Sequence, residues 1–192
     1  PMAQLLDKVA LITGAGQAVG QGTAFAMAAA GATVVVTGRT LEKLEKTVAE
    51  IESRGGEALA LTCDVKSADD LAAIVDKAVS SFGGLDILVN NAQEVPLGKL
   101  EDVTDDAFLA GFISGPLASH RLMKLARPHM LARGGGTIFN FVSSAMIRWD
   151  MATFGAYGAV KAATQVLTRA AAAEWGRDGI RVLNIAPHAE SP

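Results

Sequence analysis

Short apolar runs alternate with longer stretches of helical periodicity along this 192-residue chain. Residues 9–13 are an apolar run ended by glycines, which predicts a strand. Residues 19–30 are Ala-rich and predict a helix that Gly31 can cap. Residues 33–37 are β-branched throughout, as in a strand buried on both faces. In residues 41–54, Leu41, Leu44, Val48 and Ile51 recur at helical spacing, and Gly55-Gly56 ends the run. Residues 58–62 predict a third strand. A helix over 67–82 opens with Ser67 and Asp70 at the spacing of a capping box. Residues 85–89 predict a fourth strand, and 104–129 a helix broken at Gly115-Pro116. A strand over 137–142, an Ala-rich helix over 155–177 and a strand over 180–185 complete the alternation. Six strands separated by helices predict an α/β, doubly wound parallel sheet of Rossmann type, with helices on both faces and one domain over residues 1–192.

Composition narrows the function classes. Half the residues are hydrophobic, enough for a substantial core, and the net charge of −3 is spread over interspersed charges of both signs. Without a basic run or acidic tail, neither nucleic acid nor a membrane surface is an expected partner. The most apolar stretch, residues 24–36, is interrupted by Gly31 and Thr33 and is too short to cross a bilayer. Cys63 is the single cysteine, so no internal disulfide can form, and a reducing cytoplasm is the expected compartment. His120, His129 and His188 lack ligand spacing, and no metal is expected.

The turn after the first strand reads Thr13-Gly14-Ala15-Gly16-Gln17-Ala18-Val19-Gly20. A glycine-rich turn between strand and helix aims backbone N–H groups and a positive helix end at a phosphate. Arg39 follows the second strand, where a carboxylate would hold the ribose diol of NAD. Its guanidinium fork suits a 2′-phosphate, so NADP(H) is favoured over NAD(H); the competing reading is a solvated arginine at a helix start.

Tyr157 and Lys161 lie at i and i+4 on one helix face, and Ser144 precedes the tyrosine by thirteen residues. An ammonium beside a phenol lowers the phenol's pKa, which suits proton exchange with a substrate hydroxyl or carbonyl near neutral pH. Ser144 can hold the same oxygen. A surface contact between Tyr157 and Lys161 is the plainer reading of the pair alone.

Taken together, these segments resemble the short-chain dehydrogenase/reductase family in its single-domain branch, over nearly the whole chain. The glycine turn is similar to the family's Thr-Gly-x-x-x-Gly-x-Gly, and Tyr157 to Lys161 matches its Tyr-x-x-x-Lys. Cys63-Asp64-Val65 resembles the segment whose aspartate contacts adenine, and Asn90-Asn91-Ala92 the Asn-Asn-Ala-Gly motif. The stretch from Asn140 to Ser144 resembles the segment ending in the catalytic serine, and Asn184-Ile185-Ala186-Pro187 the segment that closes over nicotinamide.

The resemblance implies Tyr157 as general acid or base, Lys161 as its partner and a ligand of the nicotinamide ribose, and Ser144 as orienter of the substrate oxygen. It places Gly14, Gln17, Ala18, Val19, Gly20, Arg39, Asp64, Val65, Asn91, Ala92 and Pro187 around the cofactor. The implied reaction interconverts a secondary alcohol and a ketone. The alternative is a non-catalytic NADP(H)-binding protein on the same fold. Epimerisation or dehydration, known in related branches, fits the compact length and the Asn-Asn-Ala segment less well.

Four positions depart from the pattern. Ala18 and Gln93 replace glycines, His188 replaces the glycine usual after Pro187, and Gly115 falls where the family carries a relay asparagine. The family usually continues past the sixth strand with a substrate-covering helical segment and a seventh strand, which the 192 residues are expected to lack. Met146, Ile147, Trp149, Met151 and Phe154 lie between serine and tyrosine and suggest a hydrophobic carbonyl or alcohol substrate; packing beneath further chain is the other account. The resemblance also implies a homodimer or homotetramer through the helices spanning 104–133 and 155–177.

Overall fold

The computed structural model describes residues 4–148 and 150–187. Six parallel strands form one sheet: β1 (Val9–Thr13), β2 (Thr33–Gly38), β3 (Ala58–Thr62), β4 (Ile87–Asn90), β5 (Gly136–Phe141) and β6 (Ile180–Ile185). Their order is β3-β2-β1-β4-β5-β6. The chain winds outward from β1 in one direction, then returns to β4 and winds in the other. That reversal opens a crevice between β1 and β4 at the carboxyl ends of the strands, where ligands of such sheets bind.

Helices α1 (Ala18–Ala29) and α2 (Leu41–Ser53) cover one face. Their Ala24, Leu44 and Ile51 pack on Ile12, Val34, Val36 and Val89. On the other face lie α3 (Ala68–Phe82), α5 (Ala118–Ala132) and α6 (Gly155–Trp175). Leu71, Leu122, Met130 and Ala171 pack there on Leu11, Val35, Leu88 and Ile138. Val34, Val35 and Val36 are fully buried, as the unbroken β-branched run predicts.

The Ser67 hydroxyl accepts from Asp70 N, and Asp70 accepts in turn from Ser67 Oγ and from Asp64 N, which fixes the start of α3 beside the crevice. Between α4 (Asp105–Phe112) and α5, residues Ile113–Leu117 form a π-helical turn around Gly115 and Pro116. The predicted break is therefore a widened turn within a continuous helical rod. Pro116 lacks the N–H that a regular helix needs there. The fourth strand runs two residues later at its start than its apolar run suggests. Asp86 is drawn instead into contacts with Lys8, Val9 N and Arg133, while Asn90 joins the strand and donates to Asn140 Oδ1 at 2.8 Å.

Candidate active site

A cavity of about 400 Å3 opens where β1, β2, β3 and β4 end. Gly14, Gln17, Ala18, Val19, Gly20, Arg39, Asp64, Val65, Asn91 and Ala92 all line it. The turn is held from beneath by the β4 segment. Thr13 Oγ1 accepts from Asn91 N at 3.0 Å and Ala92 N at 3.1 Å, and Asn91 Nδ2 donates to Thr13 O at 2.9 Å. Glycine is required at two points of this lock. A Cβ on Gly14, whose φ is +67°, would stand 2.8 Å from Asn91 Nδ2, and one on Gly20 would strike the Gly14 carbonyl. Such a close backbone cradle at the head of α1 fits a dinucleotide pyrophosphate.

Ala18 holds the left-handed conformation, with φ 48°. Glycine would hold it without strain; the alanine methyl makes it cost about 1 kcal/mol. Gln93 also lines the cavity, and its amide lies against Gly115: a Cβ there would meet Gln93 Cδ at 2.9 Å. Among the described residues, buried Gln93 Nε2 finds no hydrogen-bond partner. The departures at 93 and 115 thus touch, one filling the space that the other leaves.

Charge gathers at the β2–β3 end of the cavity. Arg39 extends there, with Lys43 donating to Gln17 Oε1 at 2.6 Å. Lys66 Nζ lies 2.6 Å from Glu94 Oε1, and Arg39 Nη1 lies 3.7 Å from the same oxygen. The Glu94 carboxylate raises the pKa of Lys66 by hydrogen bond and charge. The spacing of motifs does not reveal Lys43, Lys66 or Glu94, because the first turn of α2 and the segments after β3 and β4 bring them together.

The predicted reacting side chains lie outside this cavity wall, at the carboxyl end of β5. Lys161 is buried and donates from Nζ to Phe141 O at 2.6 Å. Its ammonium stands 5.5 Å from the centroid of the Tyr157 ring, so the helical spacing places the two as expected. Gly158 lets α6 approach the turn after β5: a Cβ there would meet Ala145 O at 2.6 Å. Ser143 is the neighbouring side chain that acts on the Tyr157 hydroxyl, opposing the rise in its pKa. Ser144, singled out by spacing, opens the short helical turn Ser144–Met146 next to it. Pro187 is exposed beyond β6 and does not line the cavity.

One expectation is corrected. Helical spacing predicts that the lysine lowers the tyrosine's pKa, but burial pushes the Tyr157 phenol above its ordinary value, with the Ser143 hydrogen bond opposing in part. Lys161 is itself lowered to about 8 by burial. Desolvation by burial disfavours both charged forms. Met146, Met151 and Phe154 are partly buried, with the Phe154 ring edge-on to Tyr157 at 6.2 Å, and Ile147 is exposed, while Trp149 and His188 lie outside the described residues. Among the described residues no group of His, Cys, Asp or Glu could hold a metal ion, and no helix is long and apolar enough to cross a membrane.

Comparison with known proteins matches this arrangement. The family model for short chain dehydrogenases covers residues 8–190. An uncharacterized oxidoreductase of Thermotoga maritima is 40% identical over 183 residues, which span 94% of this chain and 70% of the relative. The 7alpha-hydroxysteroid dehydrogenase of Escherichia coli K12 is 37% identical over 186 residues, 97% of this chain and 72% of the relative. A solved 7 alpha-hydroxysteroid dehydrogenase, complexed with NADH and 7-oxo glycochenodeoxycholic acid, superposes with a TM-score of 0.92 at 36% identity, over 96% of this chain and 72% of that one. These matches support an oxidoreductase of alcohols and ketones that uses a nicotinamide cofactor. With a parallel Rossmann-like sheet, a glycine-cradled crevice and a family match over nearly its whole length, the chain belongs to the short-chain dehydrogenase family.

Proposed function

We propose that this protein is an NADP(H)-dependent reductase of a hydrophobic cyclic ketone, with Tyr157 as the proton donor. The observation that carries the reading is the burial of the Lys161 ammonium beneath the Tyr157 ring, 5.5 Å from its centroid, beside the crevice. The raised phenol keeps its proton at neutral pH, which suits an acid that protonates a developing alkoxide. Tyr157 Oη delivers that proton to the carbonyl oxygen. Ser143 and Ser144 hold the oxygen in line, and Lys161 supports the phenol with positive charge. A nicotinamide, when bound, supplies the hydride.

Arg39, with Gly38 before it and no carboxylate at the end of β2, supports NADP(H). The hydroxysteroid dehydrogenases among the relatives and the apolar Met146, Met151 and Phe154 support a steroid-like or other alicyclic substrate. Exposed Phe108, Leu109, Leu117 and Val166 on α4, α6 and the π-helical turn support assembly of two or four copies through those helices.

The test is a panel of steroid and simple cyclic ketones followed by NADPH absorbance, with Tyr157→Phe as control. In the variant kcat falls by about 10²–10⁴ while the Kd for NADPH stays within about twofold. Tight NADPH binding without turnover on any ketone would instead favour the non-catalytic reading. Gln93, whose amide projects into the cavity wall, is the observation on that side.

A further inference from the structure

Glu94 sits where it has no evident service to a bound nucleotide. It follows Gln93 on the loop after β4, and its backbone N donates to Ser114 Oγ at 2.9 Å. Ser114 Oγ donates in turn to Ala110 O at 2.7 Å, so the loop is pinned to α4. From that anchor the Glu94 carboxylate reaches across the cavity mouth to Arg39 after β2 and Lys66 after β3. All of these except Lys66 and Ala110 line the cavity. Asp64 is the other carboxylate nearby and Lys43 the other cation, held by Gln17.

Two cations that converge on one oxygen form the recognition pattern of a phosphate monoester. The carboxylate holds them at distances of 2.6 and 3.7 Å, and about a third of its surface is exposed. Pairs this exposed are weakly held and readily exchanged. A phosphate monoester carries nearly twice the charge of a carboxylate and three acceptor oxygens, so it competes well for the same donors.

We propose that Glu94 is an internal occupant of a phosphate-monoester subsite built by Arg39 and Lys66, and that it sets discrimination between the two nicotinamide dinucleotides. The proposal rests on the NADP(H) reading and adds to it a second cation and an intramolecular competitor. The 2′-phosphate displaces the carboxylate when it docks. The contact keeps the two cations gathered in the free protein and weakens binding of the phosphorylated cofactor. NAD(H) leaves the Arg39–Glu94–Lys66 contact in place.

The test is calorimetric titration of NADP+, NAD+ and inorganic phosphate into the wild type, Glu94→Gln, Lys66→Met and Arg39→Ala. Thermal melts confirm that each variant is folded. Glu94→Gln tightens NADP+ about fivefold and leaves NAD+ within twofold, because the amide keeps the size but drops the competing charge. Lys66→Met weakens NADP+ about fivefold, again without moving NAD+, and inorganic phosphate follows the same order more weakly. If Glu94→Gln weakens or does not alter NADP+, the carboxylate is a loop brace and the proposal is overturned. A selective loss of NAD+ affinity would assign the carboxylate to ribose hydroxyls and overturn the proposal equally. A wild type that prefers NAD+, and whose NADP+ affinity Arg39→Ala does not change, sinks the NADP(H) reading and this inference with it.

Discussion

The two halves of the sheet differ in how completely their chemistry is enclosed. Over β1, β2 and β3, helices pack on both faces, Val34, Val35 and Val36 are wholly buried, and the crevice is walled on several sides. Over β5 and β6, α5 and α6 cover one face, while Leu183 and Ile185 on the other are 45% and 36% exposed. The nucleotide-side residues come together as a finished cavity in the free protein. The proposed reacting residues stand beside it in a half-open setting, with Tyr157 only partly buried. Backbone donors and glycine turns preform a phosphate cradle, whereas a substrate pocket depends on what lies against it.

The seam between the halves is the place to break this contrast most strongly. Asp86, buried at the start of β4, accepts from Val9 N on the β1 side and from Arg133 on the β5 side. Burial raises its pKa, but the Val9 N–H and the guanidinium more than offset that and hold it below the usual carboxylate value. Asp86→Asn costs about 2–3 kcal/mol in urea unfolding at pH 7. The sign follows from the lowered folded-state pKa: this stability is fully present above the unfolded carboxylate pKa and disappears as the pH falls through the folded one. The gap between wild type and variant should therefore narrow in acid.

A subtler test lies in the reacting half. Lys161 has its pKa lowered to about 8, so burial of the charge opposes folding below that pH. The opposition fades as the pH rises from about 8 towards the unfolded value. Lys161→Met should gain about 2 kcal/mol at pH 7, after loss of the bond to Phe141 O, and gain much less at pH 10. Reductase activity should fall in the same variant, separating function from stability. Equal stability changes at both pH values would show that the charge is not the cause.

The smallest effect belongs to the nucleotide half. Ala18→Gly relieves the left-handed alanine and should add about 1 kcal/mol, read as a rise in Tm of a few degrees. A fall in Tm would show that α1 needs the methyl more than the turn resents it.

The difference between the halves also explains what could be read from the chain. The strands and helices follow from runs and periodicities that are local, and they fall within a few residues of expectation. The glycine turn is legible because its demands are on neighbouring residues. The apolar run of the fourth strand stops short of Asn90, whose reason for joining, the buried pairing with Asn140, lies across the sheet. Spacing singles out Ser144, whereas the adjacent Ser143, whose Oγ accepts from Ala145 N, also acts on the phenol, a consequence of the turn after β5. The raised pKa of Tyr157 reflects burial by residues distant in sequence, which i,i+4 spacing cannot register.

The contact between Gln93 and Gly115 joins two sites that sequence treats as independent substitutions. A larger residue at 115 would make the flexible end of the Gln93 side chain shift, and a glycine at 93 would leave a hollow against the π-helical turn. The residue pair is therefore coupled: a bulkier side chain at 115 is best accommodated when the one at 93 is shortened or turned aside.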